Sequence, residues 1–303
     1  MKVLIVGLGS IAQKHIQSLR KILPLVELYA WRSSADASIV SGITNVHQLS
    51  DVNALGIDFA IISNPTSLHQ QSIEALIPYQ IPLFIEKPVF DHLNAGETIK
   101  AIQEHQIPTY VACNLRFLGC IRFVKDYIQG KHVNEVNSYC GSYLPDWRPG
   151  QDFRKVYSAN KEMGGGVHID LIHEIDYLYW LFGAPEHVTA TRTNQSSLAI
   201  SAIDYANYLL LYPQFCANVV LNYYRRDAKR TLEIVLADGT LFVNLLQNSV
   251  HYQGEVIYQS NDTIVNTYDD QMRFFMEQIL QNKETFNPIE EAFEILTLCI
   301  AND

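Results

Sequence analysis

The sequence predicts an α/β protein in two parts. The first, over residues 1–118, is a doubly wound parallel sheet. The second, over 119–303, is an α+β part with a large, mostly antiparallel open sheet. Short apolar runs alternate with helix-like segments up to about residue 118, which is typical of a parallel sheet covered by helices. Several long β-type runs then follow one another, as in antiparallel sheets. The pattern leaves open whether the last helix packs back on the first part.

Composition excludes several classes of partner. The chain has 303 residues, of which 48% are hydrophobic, and a net charge of −10. This charge argues against nucleic acid or an anionic membrane as the main partner. The five cysteines form no CxxC pair and are expected to be reduced, mostly buried thiols of a cytoplasmic protein. No apolar run reaches the length of a membrane-spanning helix.

The first strand, turn and helix form a dinucleotide-binding pattern. "KVLIV" predicts a strand buried on both faces, and "GLGSIAQKHIQSLRKIL" adds a glycine turn and an amphipathic helix. Gly7 and Gly9 let backbone N–H groups approach a pyrophosphate, and Ser10 and Ile11 begin the helix whose dipole favours that anion. Ala12 replaces the third glycine and still permits close packing. The alternative is a structural turn rich in glycine.

The second strand, "VELYAWRSS", ends in Arg32 and Ser33, where proteins that bind NAD commonly carry an acid. A guanidinium flanked by hydroxyl groups suits a 2′-phosphate. The sequence therefore favours NADP over NAD, with a solvated surface arginine as the alternative.

Two further strands end in candidate cofactor residues. Asn64 and Pro65 follow "IDFAIIS", at the strand end where open α/β sheets bind ligands. His69 lies in the next helix, where local hydrogen bonding is the favoured interpretation. Glu86 and Lys87 follow "IPLFI", and Pro88 favours an extended backbone at Lys87.

Candidate substrate-binding residues lie at the start of the second part and in a long loop rich in aromatic residues. Trp147 is suited to stack on the flat face of a ligand, Arg148 or Arg154 to bind a carboxylate or phosphate, and Tyr157 to donate a hydrogen bond. Asn114 and Arg116 follow the sixth predicted strand. The alternative is that the loop is structural and packs Trp147 on the hydrophobic core.

The segment "GGGVHIDLIHEIDYLYWLFG", residues 164–183, places Asp170 and His173 one turn apart on a predicted helix that follows three glycines. The glycines are interpreted as a close approach of the backbone to a ligand. Glu174 and Asp176 are expected at a packing edge or the surface. A metal site formed by His168, Asp170 and His173 is an alternative interpretation of the same segment.

Taken together, "GLGSIAQKH" at 7–15, "EKP" at 86–88 and the segment 164–183 resemble the glucose–fructose oxidoreductase / inositol dehydrogenase (Gfo/Idh/MocA) family. "LPDWRP" and "YSA" look like a subgroup tied to bacterial surface sugars. The resemblance implies a Rossmann domain and a homo-oligomer, dimer or tetramer, formed through the open sheet. It also implies hydride transfer between NAD(P) and a carbon of a sugar, cyclitol or sugar nucleotide. Because the resemblance implies no metal, no metal is expected and the site at His168, Asp170 and His173 is disfavoured.

Residue by residue, the resemblance makes Lys87 the catalytic lysine and places Asp170 and His173 at the family's acid and histidine pair. These two are three residues apart here, whereas the commoner spacing is four, which leaves open which of them is the principal acid/base. The cofactor contacts that match are Gly7, Gly9, Ile11, Asn64, Pro65, Glu86 and Lys87.

The working hypothesis makes His173 the acid/base, Lys87 a polarising or relay group and Asp170 the group that orients the histidine. The sequence leaves two rival functions open: a non-catalytic NAD(P)-binding sensor or assembly protein on the same fold, and a metal-dependent hydrolase or lyase.

Overall fold

The computed structural model describes residues 1–32, 34, 39–283 and 286–301. The chain forms two compact units. The first combines Met1–Cys113 with Tyr268–Thr297, and the second combines Asn114–Thr267 with the segment that starts at Leu298.

The first unit contains six parallel strands in the order β3-β2-β1-β4-β5-β6. The strands are β1 (Lys2–Val6), β2 (Glu27–Trp31), β3 (Thr44–Val46), β4 (Phe59–Ile62), β5 (Leu83–Ile85) and β6 (Thr109–Val111). The helices are α1 (Ser10–Ile22), α2 (Asp51–Leu55), α3 (His69–Leu76) and α4 (Gly96–Glu104). The doubly wound parallel sheet is thus confirmed.

The central strands of this sheet are buried because helices cover them, and their apolar runs follow from that position. In β1, Val3, Leu4 and Ile5 are fully buried, as are all residues of β4. Helix α1 turns Ala12, Ile16 and Leu19 toward the core, at the helical spacing that the sequence shows.

The second unit contains an eight-stranded sheet in the order β14-β13-β12-β11-β7-β10-β9-β8. Its strands are β7 (Val133–Tyr143), β8 (His187–Thr193), β9 (Tyr205–Leu211), β10 (Cys216–Asn222), β11 (Tyr224–Leu236), β12 (Gly239–Asn244), β13 (Ser249–Tyr252) and β14 (Glu255–Gln259). Every pairing is antiparallel except that of β10 with β7. The expectation of a large, mostly antiparallel sheet is therefore confirmed.

Three strands of this sheet were not singled out by the sequence. β7 carries polar residues on one face and includes Gly141, so it lacks a continuous β-branched run. β13 and β14 are short hairpin strands. A two-residue turn at Ala237 and Asp238 joins β11 to β12, whose first residue is Gly239.

The remaining helices are α5 (Gly119–Tyr127), α6 (Val167–Asp170), α7 (His173–Phe182), α8 (Thr267–Phe274) and α9 (Ile289–Ile300). Helix α8 continues as a π-helical turn over Phe275–Ile279. Within the described ranges, no helix combines the length and hydropathy needed to span a membrane.

Candidate cofactor and active site

The glycine turn after β1 is shaped for close approach of the backbone. Gly7 has φ +89°, and a Cβ there would lie 2.5 Å from Cα and N of Asn64, so only glycine fits. At Gly9 a Cβ would meet nothing within 4 Å, which leaves open space at the start of α1. This N-terminus has no side-chain cap and no acidic residue in its first turn. Its positive dipole end is therefore available to an anion.

The other predicted cofactor residues follow neighbouring strands of the same sheet. Arg32 follows β2, Asn64 and Pro65 lie just beyond β4, and Glu86 and Lys87 follow β5. The strand order reverses between β1 and β4, the switch point at which open α/β sheets bind ligands. Ser33 lies outside the described residues.

Two polar atoms along this strand edge are buried and have no hydrogen-bond partner in the described part of the chain. They are Nη1 of Arg32 and Oδ1 of Asn64. The Asn64 amide is fixed, since its Nδ2 donates to Oγ of Ser72 at 2.9 Å. An open helix N-terminus beside unsatisfied polar atoms fits a dinucleotide.

His69 is used inside the fold. Its ring nitrogens lie 3.1 Å from the carbonyl oxygens of Val89 and Asn64. Burial is the largest cause of a lowered pKa at this imidazole. The arrangement matches the local hydrogen bonding that the sequence favoured, and direct contact of His69 with the cofactor stays a prediction.

The Glu86–Lys87–Pro88 segment carries a buried hydrogen bond that the sequence interpretation missed. Nε2 of His15, in α1, lies 2.5 Å from Oε1 of Glu86. The backbone N–H of Lys87 donates to Oε2 of the same carboxylate at 3.2 Å. The Lys87–Pro88 peptide bond is cis, and the Lys87 side chain is half-buried. His15 is the last residue of "GLGSIAQKH" and lies on the buried face of α1. A polar residue at such a position was the feature of the sequence that could have indicated a buried partner.

In the second unit, the predicted single helix is two helices. Asp170 ends α6 and His173 begins α7. Leu171 joins them with φ −101° and ψ 26°, which departs from helical backbone geometry. Both side chains are half-buried. The expectation that they share one continuous helix is therefore wrong, although they remain three residues apart.

Asp170 is held by a residue that the sequence did not single out. The Tyr223 hydroxyl donates to Oδ2 of Asp170 at 2.5 Å. Tyr223 is fully buried, and burial, followed by the charge of Asp170, raises its pKa well above the usual range. The Tyr223 ring also meets the edge of Trp147, with ring centroids 5.3 Å apart. Every second residue of β10 is buried, and Tyr223, one residue beyond the end of the strand, continues this alternation. That pattern could have indicated an inward-facing tyrosine.

The glycines at 164–166 approach the protein's own backbone and side chains. A Cβ on Gly165 would lie 2.0 Å from the Tyr157 carbonyl oxygen, and one on Gly166 would lie 2.6 Å from the His168 ring. The Tyr157 hydroxyl donates to the Gly164 carbonyl at 2.8 Å. Burial lowers the pKa of His168 to about 4. The predicted substrate residue Tyr157 therefore holds the glycine segment.

The other candidate substrate residues differ in accessibility. Trp147 is 38% exposed and donates from Nε1 to Oγ of Ser142 at 2.9 Å. Arg154 is exposed, near Asp152. Asn114 is buried and donates to Oγ1 of Thr267 at 2.7 Å.

Arg116 is 1% exposed and forms a two-pronged ion pair with Asp176, with Nη2 at 2.7 Å from Oδ1 and Nε at 3.0 Å from Oδ2. Asp176 and Glu174 are fully buried, and Glu174 pairs with Arg230. The expectation that these two acids lie at an edge or surface is wrong, because both are fully buried and each is paired with a guanidinium group.

In the described ranges, no group of three or more His, Cys, Asp and Glu side chains is arranged to hold a metal ion. Of the cysteines, all free, four are buried and Cys216 is exposed.

The parallel sheet, its switch point and the open glycine turn define an α/β protein of the dinucleotide-binding type. A sequence model described as "Oxidoreductase family, NAD-binding Rossmann fold" matches residues 1–111, and one for the GFO/IDH/MocA C-terminal domain matches residues 121–242. The chain belongs to the Gfo/Idh/MocA family, as the resemblance implied.

Similar proteins agree with this assignment. IolW of Bacillus subtilis (strain 168), a scyllo-inositol 2-dehydrogenase (NADP(+)), is 30% identical over 170 residues, which cover 55% of this chain and 46% of IolW. The chain thus spans about half the length of that relative.

Two solved structures share the fold over 99% of this chain. An oxidoreductase from Agrobacterium radiobacter, in complex with NAD+, L-tartaric acid and magnesium, has TM-score 0.81 and 17% identity over 94% of its own length. UDP-N-acetylglucosamine 3-dehydrogenase GnnA from Acidithiobacillus ferrooxidans has TM-score 0.79 and 18% identity over 95% of its length.

Proposed function

We propose that the protein is an NAD(P)-dependent oxidoreductase that acts on a secondary alcohol or ketone carbon of a sugar, cyclitol or sugar nucleotide. The observation that carries the proposal is the strand edge of the first unit. There the uncapped start of α1, the Gly7 turn and Lys87 follow strands β1 and β5 of one sheet. This arrangement supports the proposal, because the start of α1 can bind an anion and Lys87 carries an amine on the same sheet.

The nicotinamide cofactor, when bound, accepts or supplies the hydride. The amides at the start of α1 would hold its pyrophosphate. Lys87 stabilises negative charge on the substrate oxygen, and the His173 imidazole takes or returns the hydroxyl proton. Asp170, fixed by Tyr223, orients the histidine. This division of roles between Asp170 and His173 is part of the proposal.

The substrate class is supported by the side chains near Asp170 and by the names of similar proteins. Trp147 meets Tyr223, the partner of Asp170, and keeps a large exposed ring surface. Aromatic rings of this kind stack on the apolar faces of sugars. IolW is named for an inositol and GnnA for a sugar nucleotide.

The direct test is a titration of the protein with NADP, NADPH, NAD and NADH, in which binding is measured by tryptophan fluorescence and by thermal shift. A screen for turnover over uronates, cyclitols and UDP-sugars then follows. Saturable binding of a nicotinamide cofactor and turnover of one substrate class are expected. Absence of cofactor binding would refute the proposal. Binding without turnover of any class would favour the sensor alternative.

NADP is the proposed cofactor, because Arg32 follows β2 and has a buried Nη1 with no partner in the described residues. Arg32→Ala is expected to weaken NADP binding by about 10- to 100-fold, the loss of one charge-assisted hydrogen bond. NAD affinity should stay nearly unchanged, since NAD lacks the 2′-phosphate. Comparing dissociation constants for the two cofactors checks this. Arg20→Ala, at an exposed arginine of α1, is the matched control. Equal losses for NADP and NAD would contradict the prediction.

The open face of the eight-stranded sheet is the proposed surface for homo-oligomer formation. The strand registers align one row across it: Phe242, Glu233, Asn137, Asn218 and Leu209. Phe242 and Leu209, the apolar residues named in this row, are 40% and 45% exposed. Exposed apolar side chains on a broad sheet face are typical of protein interfaces. Sedimentation velocity is expected to show a dimer or tetramer that Leu209→Lys weakens. A wild-type monomer at micromolar concentration would contradict this proposal.

A further inference from the structure

The buried contact between His15 and Glu86 is not used in the catalytic steps proposed above, although Glu86 is a candidate cofactor residue. Both residues lie within the first unit, and His15 is completely buried. A buried carboxylate is costly unless its oxygens are paired. Here both oxygens have partners: Oε1 lies 2.5 Å from His15 Nε2, and Oε2 accepts the Lys87 N–H at 3.2 Å. The carboxylate therefore connects helix α1 to the backbone of Lys87.

The surroundings of His15 fix its tautomer and its orientation. Nδ1 is buried and has no hydrogen-bond partner in the described ranges. A proton there would lack an acceptor, whereas a lone pair there costs little. The proton consequently belongs on Nε2, which donates to Glu86. The ring packs edge-on against Phe84 and Tyr268, at centroid distances of 4.9 and 5.9 Å.

The backbone on the other side of Lys87 is held in the same manner. His69, in α3, contacts the Val89 carbonyl oxygen at 3.1 Å. The Lys87 N–H group is thus linked to the buried His15 ring through the Glu86 carboxylate. Two residues further on, the Val89 carbonyl oxygen lies beside the buried His69 ring. Of the two, His15 lies on the helix whose N-terminus forms the proposed pyrophosphate site.

The geometry points to His15 as a positioning residue for Lys87. Through Glu86 it fixes the backbone of the proposed catalytic lysine relative to α1 and the dinucleotide turn. The inference rests on the proposed function, in which Lys87 touches the substrate. His15 itself touches neither substrate nor cofactor in this scheme.

The test compares His15→Leu, which removes the donor, with His15→Gln, which keeps an N–H group in its place. Ile16→Ala is the matched control, because Ile16 is the next residue of α1 and is 1% exposed. Two quantities are measured in each folded variant. One is the rate at which acetic anhydride acetylates Lys87 relative to the exposed Lys100, by peptide mass spectrometry. The other is kcat and KM for the substrate found in the screen.

We expect His15→Leu to lower kcat by about 10- to 100-fold, the usual cost of a small misplacement, with a smaller change in KM. The relative acetylation of Lys87 should change several-fold. His15→Gln should recover most of both quantities, and Ile16→Ala should leave both near wild type. If His15→Leu does not fold, Glu86→Gln weakens the same hydrogen bonds at almost unchanged volume and replaces it.

The acetylation measurement does not depend on turnover, so it decides the inference even if the wild-type protein proves inactive and the proposed function fails. The positioning role would be overturned if Lys87 of the His15→Leu variant were acetylated at the wild-type relative rate. It would also be overturned if His15→Leu and Ile16→Ala changed that rate equally.

Discussion

Replacing Lys87 with alanine is expected to lower turnover by about 10²- to 10⁴-fold while the nicotinamide cofactor still binds. The loss is large because the ammonium group is the proposed partner of the substrate oxygen, where charge develops during hydride transfer. Cofactor binding should survive, since the proposed pyrophosphate site is formed by the Gly7 turn and the start of α1. His173→Ala is expected to cause a loss of the same order.

The measurement is steady-state turnover together with cofactor affinity from fluorescence titration. Lys100→Ala, at an exposed lysine of α4, is the matched control, because it removes the same charge from the same unit. Lys87→Arg separates two roles. Arginine keeps the charge but does not release a proton, so it retains part of the activity only if Lys87 acts by electrostatics. Near-wild-type turnover in Lys87→Ala would exclude Lys87 from catalysis.

The local parts of this site were predictable from sequence because each is encoded within a short segment. The strand, Gly7 turn and α1 occupy residues 2–22 without interruption, and their pattern follows from the needs of a pyrophosphate. Lys87 was placed for a similar reason, at the end of a short apolar strand. In both cases the neighbours in space are also neighbours in the chain.

The supporting contacts were not predictable in this way, because they join distant residues. His15 and Glu86 are 71 residues apart, and Asp170 and Tyr223 are 53 apart. A single sequence indicates which side chains are polar or inward-facing, but pairing across such separations depends on strand order. Strand β7 was missed for another reason. One of its faces is polar, so its sequence lacks the continuous run of β-branched residues that indicates a buried strand.

Arg116 illustrates the consequence for function, because the same residue type suits a substrate anion and a buried ion pair. It was a candidate substrate residue by its position after the sixth strand. In the structure its guanidinium is bound to Asp176, which is fully buried in α7. The geometry favours a structural role for Arg116. Substrate binding by Arg116 stays a prediction, and measurements of stability distinguish the two roles.

Removing one partner of this pair is expected to destabilise the fold strongly. Arg116→Met should lower the free energy of unfolding by about 3–5 kcal/mol, since it leaves the Asp176 carboxylate buried without its cation. The double variant Arg116→Met with Asp176→Leu should recover much of that loss, because two apolar side chains of similar volume need no partner. Urea denaturation followed by far-UV circular dichroism measures both. Arg154→Met, at an exposed arginine of the same unit, is the control and should change stability little. A substrate-binding arginine would behave differently: its loss would raise KM and leave the unfolding midpoint in place, and the Asp176→Leu change would then rescue nothing.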